Sequence, residues 1–266
     1  MIPFNKDNKI TDKSLSEDIF YYCFPGLSQH SSLCHRIFTR NGGLSSHPYK
    51  SLNISYSVGD DPSCVEKNML AIKRNTGADR LVHMNQQHGK KVISIKEDDA
   101  AGPDRTCDAD ALITDIPSVA IMVKQADCQG IILFDPVKSV AAVVHSGWKG
   151  SVKNIIGETV KRMETDFSSN PENISAAIGP SLGPCCAEFR TYKEILPERF
   201  QDFMADTFHF DFWAISEMQL ADAGLKKNNI EKAGICTKCN RDVFYSYRGE
   251  GATGRFATVA LIKGSQ

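Results

Sequence analysis

Residues 126–150 decide the central part of the fold, and they read ADCQGIILFDPVKSVAAVVHSGWKG. Two short apolar strands, at 130–134 and 139–144, flank the turn signal Asp135-Pro136. The pattern predicts a β-hairpin with strands of matching length. In such a hairpin the residue before the first strand lies close to the residue after the second.

Those two positions are Cys128 and His145. A thiolate and an imidazole at this distance suit two ligands of one metal ion, or a cysteine nucleophile and its base. A buried free cysteine beside a hydrogen-bonded core histidine is the alternative. His88 is a third candidate ligand, since Gly89 after it permits close backbone approach. Three protein ligands leave a fourth zinc position open, as catalytic zinc requires. His83 competes with His88, and spacing does not choose between them.

Six segments, in order along the chain, resemble the signature boxes of the laccase-domain family. That family is also called multicopper polyphenol oxidoreductase or YfiH-like, and is now regarded as purine nucleoside phosphorylases. The segments are residues 39–45, 86–89, 126–128, 145–150, 178–186, and 236–239 together with 244–255. The resemblance covers roughly residues 30–263, and six boxes in register are more specific than one motif.

Three positions depart from the family's usual pattern. Lys149 stands where the family has Arg, Gln125 where Thr is common, and Gly130 where Pro is frequent. Lysine keeps the positive charge of arginine but lacks its planar, two-pronged grip on phosphate. An anion-binding role for Lys149 is weakened accordingly.

The resemblance implies an enzyme that cleaves adenosine, inosine and methylthioadenosine with phosphate, giving base and sugar 1-phosphate, and that also deaminates adenosine. It implies that His88, Cys128 and His145 bind zinc, with copper as the alternative metal. Zinc lowers the pKa of a bound water to about 7, which would make a nucleophile for purine C6. The expected partners are a purine nucleoside and phosphate.

Phosphorolysis needs cations for the phosphate and for the charge that passes to the leaving base. By the resemblance, Arg40, Lys149 and Arg248 are the candidates, and Asn53 is a possible contact to the sugar. Arg40 and Arg248 lie in glycine-rich contexts that favour backbone donors near an anion, although ordinary surface turns would look the same. Asp127, next to Cys128, could orient a ligand, act as a general acid or cap a turn.

Composition sets wide bounds on the protein. The chain has 266 residues, 41% hydrophobic content and a net charge of −1, which allows a substantial core and gives no basic surface for nucleic acid or membrane. Residues 1–20 contain no signal peptide, and no apolar run reaches the ~18 residues of a spanning helix. We therefore expect a cytoplasmic protein, whose oligomeric state the sequence leaves open.

Nine cysteines in a cytoplasmic chain indicate thiols rather than disulfides. Cys236 and Cys239 form a CxxC motif, which would suit a zinc knuckle or a redox pair, but no second CxxC accompanies it. Cys185 and Cys186 are adjacent, and adjacent cysteines seldom chelate one metal. We expect these four thiols to pack as small hydrophobes.

Periodicity and turn signals predict a single domain over residues 1–266, with residues 1–30 a less certain N-terminal extension. The predicted helices lie at 62–75, 151–165 and 216–223, and the predicted strands at 92–95, 108–114, 119–124, 174–178 and 256–262. The N-terminus of the helix at 151–165 is expected near His145, where it would favour an anion. The class is α/β or α+β. The family implies mixed β-sheets packed between helix layers, an αββα-like arrangement shared with cytotoxic necrotizing factor.

Three other functions compete with the nucleoside enzyme. A copper-dependent polyphenol oxidase needs several histidine clusters, and the chain has seven histidines. A cysteine hydrolase would use Cys128 as nucleophile and His145 as base, and alkylation of Cys128 in the presence of a chelator tests it. A non-catalytic zinc-binding protein would unfold when the metal is removed.

Overall fold

The computed structural model describes residues 19–96 and 104–264. Its strands are β1 (Tyr21–Tyr22), β2 (Leu33–Phe38), β3 (Arg80–Asn85), β4 (Val92–Ser94), β5 (Arg105–Asp108), β6 (Ala111–Thr114), β7 (Val119–Gln125), β8 (Gln129–Asp135), β9 (Val140–Ser146), β10 (Ser175–Ile178), β11 (Met204–Asp206), β12 (His209–Phe210), β13 (Ile230–Lys232) and β14 (Phe256–Ile262). Its helices are α1 (Pro25–Ser28), α2 (Pro62–Thr76), α3 (Trp148–Val152), α4 (Ile155–Phe167), α5 (Tyr192–Ile195), α6 (Phe212–Asp222) and α7 (Tyr247–Glu250).

Two six-stranded mixed sheets form the centre of the molecule. The first has the strand order β1-β2-β14-β7-β3-β5, and the second has the order β13-β10-β8-β9-β6-β4. In the first sheet β3 runs parallel to β5 and β7, while β14 is antiparallel to β2 and β7. In the second, β10–β13 and β4–β6 are parallel pairs and the remaining pairs are antiparallel. The predicted mixed sheets are confirmed.

The two sheets pack face to face, and helices cover their outer faces. The alternation of side chains along β8 shows this: Ile132 and Phe134 join the core between the sheets, whereas Ile131 and Leu133 pack with α4. Helix α2 covers the outer face of the first sheet. Burying each large aliphatic side chain contributes ~1.5–3 kcal/mol, so the apolar residues on both faces of β8 stabilise its packing against the first sheet and against α4. The predicted αββα-like layering is confirmed.

The central hairpin is the one predicted. β8 and β9 are antiparallel, with Gly130 opposite His145 and Gln129 opposite Ser146. The helix predicted at 62–75 is also confirmed as α2. It begins where the Asp61 side chain accepts the Ser63 N–H, and it ends at Gly77, whose φ of 72° suits glycine.

Three predicted elements need correction. The strand predicted at 108–114 is two strands in different sheets, because β5 ends at Asp108 and β6 begins at Ala111. The helix predicted at 151–165 is broken into α3 and α4, since Asn154 has a φ of 55° and caps the second helix. The helix predicted from residue 216 begins at Phe212, because the Asp211 side chain accepts the N–H groups of the next turn.

Of the N-terminal extension predicted at 1–30, residues 1–18 lie outside the described residues. Residues 19–30 supply β1, which pairs with β2, and α1, which contributes Leu27 to the core between the sheets. Within the described ranges, no helix combines the length and apolar character that crossing a bilayer demands.

Candidate metal centre and active site

The structure brings together three of the predicted ligands. Cys128 precedes β8, His145 lies on β9, and His88 lies in the loop between β3 and β4; their ligand atoms all lie within 4.8 Å of one another. The Cys128 Sγ atom is 4.0 Å from the His88 Nε2 atom. His83, the competing histidine, lies on β3 instead, with its Nε2 atom 3.2 Å from the Thr106 hydroxyl.

Asp110 holds both histidines of this trio. Its Oδ1 atom lies 2.9 Å from His145 Nδ1 and accepts the His88 backbone N–H at 2.9 Å, while its Oδ2 atom accepts the Gly89 N–H at 2.7 Å. The side chain is fully buried. Because Asp110 occupies Nδ1 of His145, it leaves Nε2 of that ring for the trio. A carboxylate behind a histidine in this way is typical of metal sites.

The site carries alternating charge. Burial raises the pKa of the Cys128 thiol, but His145 and His88 outweigh it and lower that pKa to about 6. Burial lowers the pKa of His145, but Cys128 and Asp110 outweigh it and raise that pKa to about 9. The thiolate is the form that binds metals and attacks electrophiles. Protein groups alone therefore favour the reactive form of Cys128.

The absence of a side chain at Gly147 leaves space for the Cys128 sulfur. A Cβ atom at this position would lie 2.8 Å from Cys128 Sγ and 3.5 Å from His88 Cδ2. The backbone of Gly147, at φ −85° and ψ 178°, is open to any residue. Glycine is thus required by the nearness of the sulfur and not by the backbone conformation.

Two members of the trio, His88 and Cys128, line a cavity of about 330 Å³, while His145 is buried. The lining also includes Arg248, smaller residues such as Leu182, and four aromatic side chains: Trp148, Phe189, Phe212 and Tyr247. The rings of Phe189 and Phe212 are 5.2 Å apart and tilted. An apolar slot with aromatic walls and few polar groups suits a flat heteroaromatic ligand.

Arg248 and Arg40, both predicted to contact phosphate, have different environments. Arg248 lines the cavity, and its Nη1 atom donates to the Glu188 carbonyl at 3.1 Å. Arg40 does not line it. Its Nη1 atom lies 2.8 Å from Glu250 Oε1, and its side chain is only 12% exposed. Arg40 is therefore neutralised by an ion pair, whereas Arg248 faces the cavity.

Lys149 and Asn53 also lie outside the cavity lining. Lys149 is exposed, with its Nζ atom 5.4 Å from the centre of the Trp148 ring. Its helix, α3, begins at Trp148, close to His145 as predicted, but it spans five residues and is separate from the longer helix α4. The Asn53 side chain is fully buried and accepts the N–H groups of Ser55 and Arg255 through Oδ1.

Asp127 connects the trio to two later loops. Its Oδ1 atom accepts the hydroxyls of Thr237 and Ser246, each at 2.7 Å, and its Oδ2 atom accepts the Arg248 N–H at 2.5 Å. The residue has a φ of 87°. The carboxylate thus accepts three hydrogen bonds, which tie it to the segments that carry Thr237 and Arg248.

The prediction that four further cysteines pack as small hydrophobes is wrong for two of them. Cys185 and Cys239 are exposed. The adjacent pair lies beside the CxxC motif: Cys239 Sγ is 3.7 Å from Cys185 Sγ and 3.6 Å from Cys186 Sγ. The folded chain supplies the second cysteine pair that the spacing lacks.

Sequence reasoning missed Asp110 and the aromatic walls. Asp110 has a signal, since it is the one charged residue in the apolar run 109–113, and an isolated buried carboxylate needs a reason. Phe189, Phe212 and Tyr247 have no comparable signal, because they come from three segments that only the tertiary fold brings together.

The chain is similar to several known proteins. A family model described as multi-copper polyphenol oxidoreductase laccase matches residues 34–263. Purine nucleoside phosphorylase YlmD of Bacillus subtilis (strain 168) is 33% identical, over 85% of this chain and 87% of its own length. Purine nucleoside phosphorylase YfiH of Escherichia coli (strain K12) is 32% identical, over 83% and 90%. The crystal structure of Bacillus licheniformis hypothetical protein YfiH superposes with a TM-score of 0.83 at 26% identity, covering 91% of this chain and 96% of that one.

Proposed function

The chain belongs to the multi-copper polyphenol oxidoreductase laccase family, and from this membership we propose that it is a zinc-dependent purine nucleoside enzyme. The proposed reactions are phosphorolysis of adenosine, inosine and methylthioadenosine, together with deamination of adenosine. One observation carries the proposal: His88 and Cys128 of the cysteine–histidine trio line a cavity with aromatic walls and a cation. The relatives named as purine nucleoside phosphorylases support it.

The donor set fits zinc. One thiolate and two imidazoles are ligands that zinc accepts, and their atoms lie within 4.8 Å of each other. His88, Cys128 and His145 would hold the ion. Bound there with a free coordination position, zinc would supply a Lewis acid at the end of the cavity. The hydrogen bond from His145 to Asp110 fixes the ring for this task.

The protein's own groups have separable tasks. The rings of Trp148, Phe189 and Phe212 offer faces and edges on which a purine can stack. In phosphorolysis a phosphate oxygen bonds to C1 of the sugar, and the electron pair of the glycosidic bond leaves with the base. Arg248 would hold the phosphate by charge-assisted hydrogen bonds. By accepting the Arg248 N–H, Asp127 holds that segment against the cavity.

Of the three predicted phosphate-binding cations, Arg248 lines the cavity, whereas Arg40 and Lys149 do not. We therefore assign the phosphate to Arg248. Asn53, which is buried and fully engaged, stays a weaker candidate for a sugar contact.

The test is product analysis with metal-analysed protein. We expect adenosine and phosphate to give adenine and sugar 1-phosphate in a phosphate-dependent reaction, and inosine in a phosphate-independent one. Cys128→Ala should abolish both, whereas Cys64→Ala, a half-buried cysteine of α2 outside the trio, should retain both. Zinc-loaded wild type that turns over none of the three nucleosides would refute the proposal.

A cysteine hydrolase is the second candidate, because Asp110, His145 and Cys128 form an acid–base–nucleophile chain. It predicts activity that survives chelation and is lost when Cys128 is alkylated. The nucleoside enzyme predicts loss on chelation and recovery with zinc. A copper polyphenol oxidase would instead contain copper as purified and oxidise phenols.

A further inference from the structure

A second thiol cluster lies where two loops meet. Cys185 and Cys186 follow β10, and Cys236 and Cys239 follow β13. The parallel pairing of β10 with β13 continues past the strand ends, since Ser181 N donates to the Ile235 carbonyl at 3.2 Å and Thr237 N to the Ser181 carbonyl at 3.0 Å. Cysteines some fifty positions apart are therefore neighbours by topology.

Two of the sulfur–sulfur distances match those of a metal-binding tetrahedron. Cys239 Sγ lies 3.7 Å from Cys185 Sγ and 3.6 Å from Cys186 Sγ, and the four ligand atoms all lie within 4.8 Å of one another. Zinc–sulfur bonds of about 2.3 Å place tetrahedral sulfurs about 3.8 Å apart. A disulfide would need about 2.05 Å.

Backbone groups also approach one of the sulfurs. The N–H groups of Gly183 and Cys239 donate hydrogen bonds to the Cys236 sulfur. Hydrogen bonds from backbone amides to a ligating sulfur are of the kind that orient metal ligands. Gly183 is needed for this approach, since a Cβ there would lie 2.7 Å from Trp213 and 3.0 Å from Cys236 Cβ.

We propose that Cys185, Cys186, Cys236 and Cys239 form a tetrathiolate zinc site, separate from the trio at His88. All four ligands come from the protein, which is the arrangement of a structural zinc and leaves no open position for chemistry. The exposure of Cys185 and Cys239 is explained, because ligands of a surface site need not be packed in a core. The inference is independent of the proposed reaction.

Such a zinc would brace one wall of the cavity. Leu182 and Ala187, on either side of the adjacent cysteines, line the cavity. Thr237, inside the CxxC motif, donates its hydroxyl to Asp127. The metal would cross-link the loop that forms the wall to the loop that holds Asp127.

Zinc content of the full chain tests the site. Protein saturated with zinc and freed of excess by gel filtration should lose one zinc per chain on Cys239→Ser, and none on the control Cys64→Ser. His88→Ala should remove a different zinc, so that the double variant loses both. An unchanged zinc content in Cys239→Ser would overturn the proposal. Zinc at this site without nucleoside turnover would refute only the proposed reaction.

A measurement on the unmutated protein covers the case in which the variant does not fold. Zinc should protect the exposed thiols of Cys185 and Cys239 from alkylation, with peptide mapping expected to show at least tenfold slower labelling before chelation than after. Replacement of zinc by cobalt should give the intense thiolate charge-transfer absorption of a tetrahedral site in the His88→Ala variant. Equal labelling with and without chelator would overturn the proposal of a tetrathiolate site, and so would the lack of the thiolate charge-transfer absorption.

Discussion

The Nδ1 atom of His145 lies 2.9 Å from the Oδ1 atom of Asp110. The same carboxylate also accepts the backbone N–H groups of His88 and Gly89. A single buried side chain thus orients two predicted metal ligands, one in the loop after β3 and one on β9. Asp110 sits where the chain passes from β5 in one sheet to β6 in the other, which places it at the junction of both.

Asp110→Asn should weaken metal binding at the trio about 10- to 100-fold, because the amide cannot serve all three donors and no longer stabilises the His145 tautomer. Competition with a chromophoric chelator measures the affinity. Asp135→Asn is the matched control: Asp135 is equally buried, but it accepts the Val137 and Lys138 N–H groups in the hairpin turn. Equal affinities of the two variants would contradict the role of Asp110.

Gly147→Ala should displace the Cys128 sulfur, since the new Cβ would lie 2.8 Å from it. The backbone already suits alanine, so we expect a folded protein with at least tenfold lower metal affinity. Gly264→Ala is the control, because its Cβ would meet only Ser118 Oγ at an ordinary 3.5 Å. Wild-type affinity in Gly147→Ala would show that the sulfur moves freely.

In metal-free protein, alkylation of Cys128 should rise with pH around a midpoint of about 6, because the thiolate reacts and it forms above the pKa. In His145→Gln the chief opposing charge is gone, burial dominates, and the midpoint should move upward. Rates from peptide mapping across pH give both midpoints. A wild-type midpoint near the ordinary 9.0 of a free thiol would contradict the charge arrangement.

Local signals predicted the hairpin, α2 and β14, because apolar periodicity and caps act over a few residues. Residues 108–114 and 151–165 were mispredicted for a physical reason. The local pattern predicts one element in each segment, whereas the change of sheet after Asp108 and the left-handed Asn154 divide each into two. Periodicity does not register either event.

The sequence predicts the site residues that flank one hairpin, Cys128 and His145. It does not predict contacts between residues that are far apart in the sequence. Arg40 resembles a free cation in the sequence, but its partner Glu250 lies 210 positions away. Cys239 meets Cys185 across 54 positions. Such pairs depend on strand order, which spacing rules do not contain, so the sequence alone gave them no partners.

Arg248→Ala should raise the KM for phosphate roughly 10- to 100-fold, the cost of losing a charge-assisted hydrogen bond of about 1.5–3 kcal/mol. The KM for the nucleoside should change little. Lys149→Ala provides the control, since this exposed lysine lies outside the cavity lining. A phosphate effect in Lys149→Ala and not in Arg248→Ala would return the anion site to α3.

Asp127→Asn separates a positioning role from general acid catalysis. Asparagine tolerates the φ of 87°, but it must offer an N–H₂ group to one of the three donors that the carboxylate accepts. We expect a loss of about 1 kcal/mol in the free energy of unfolding, measured with urea, and a higher KM for phosphate as the Arg248 segment loosens. Asp61→Asn, a helix cap that asparagine can replace, should cost little.

The pH profile of kcat decides between the two roles of Asp127. If Asp127 only positions its neighbours, the pH profile of kcat keeps its shape in Asp127→Asn. This is the result that we expect. A general acid would contribute about 10²- to 10⁴-fold to kcat, and its loss would remove the corresponding limb of the profile. Thr237, Ser246 and Arg248 all donate to the carboxylate, which is the arrangement of a residue that holds neighbouring segments in place.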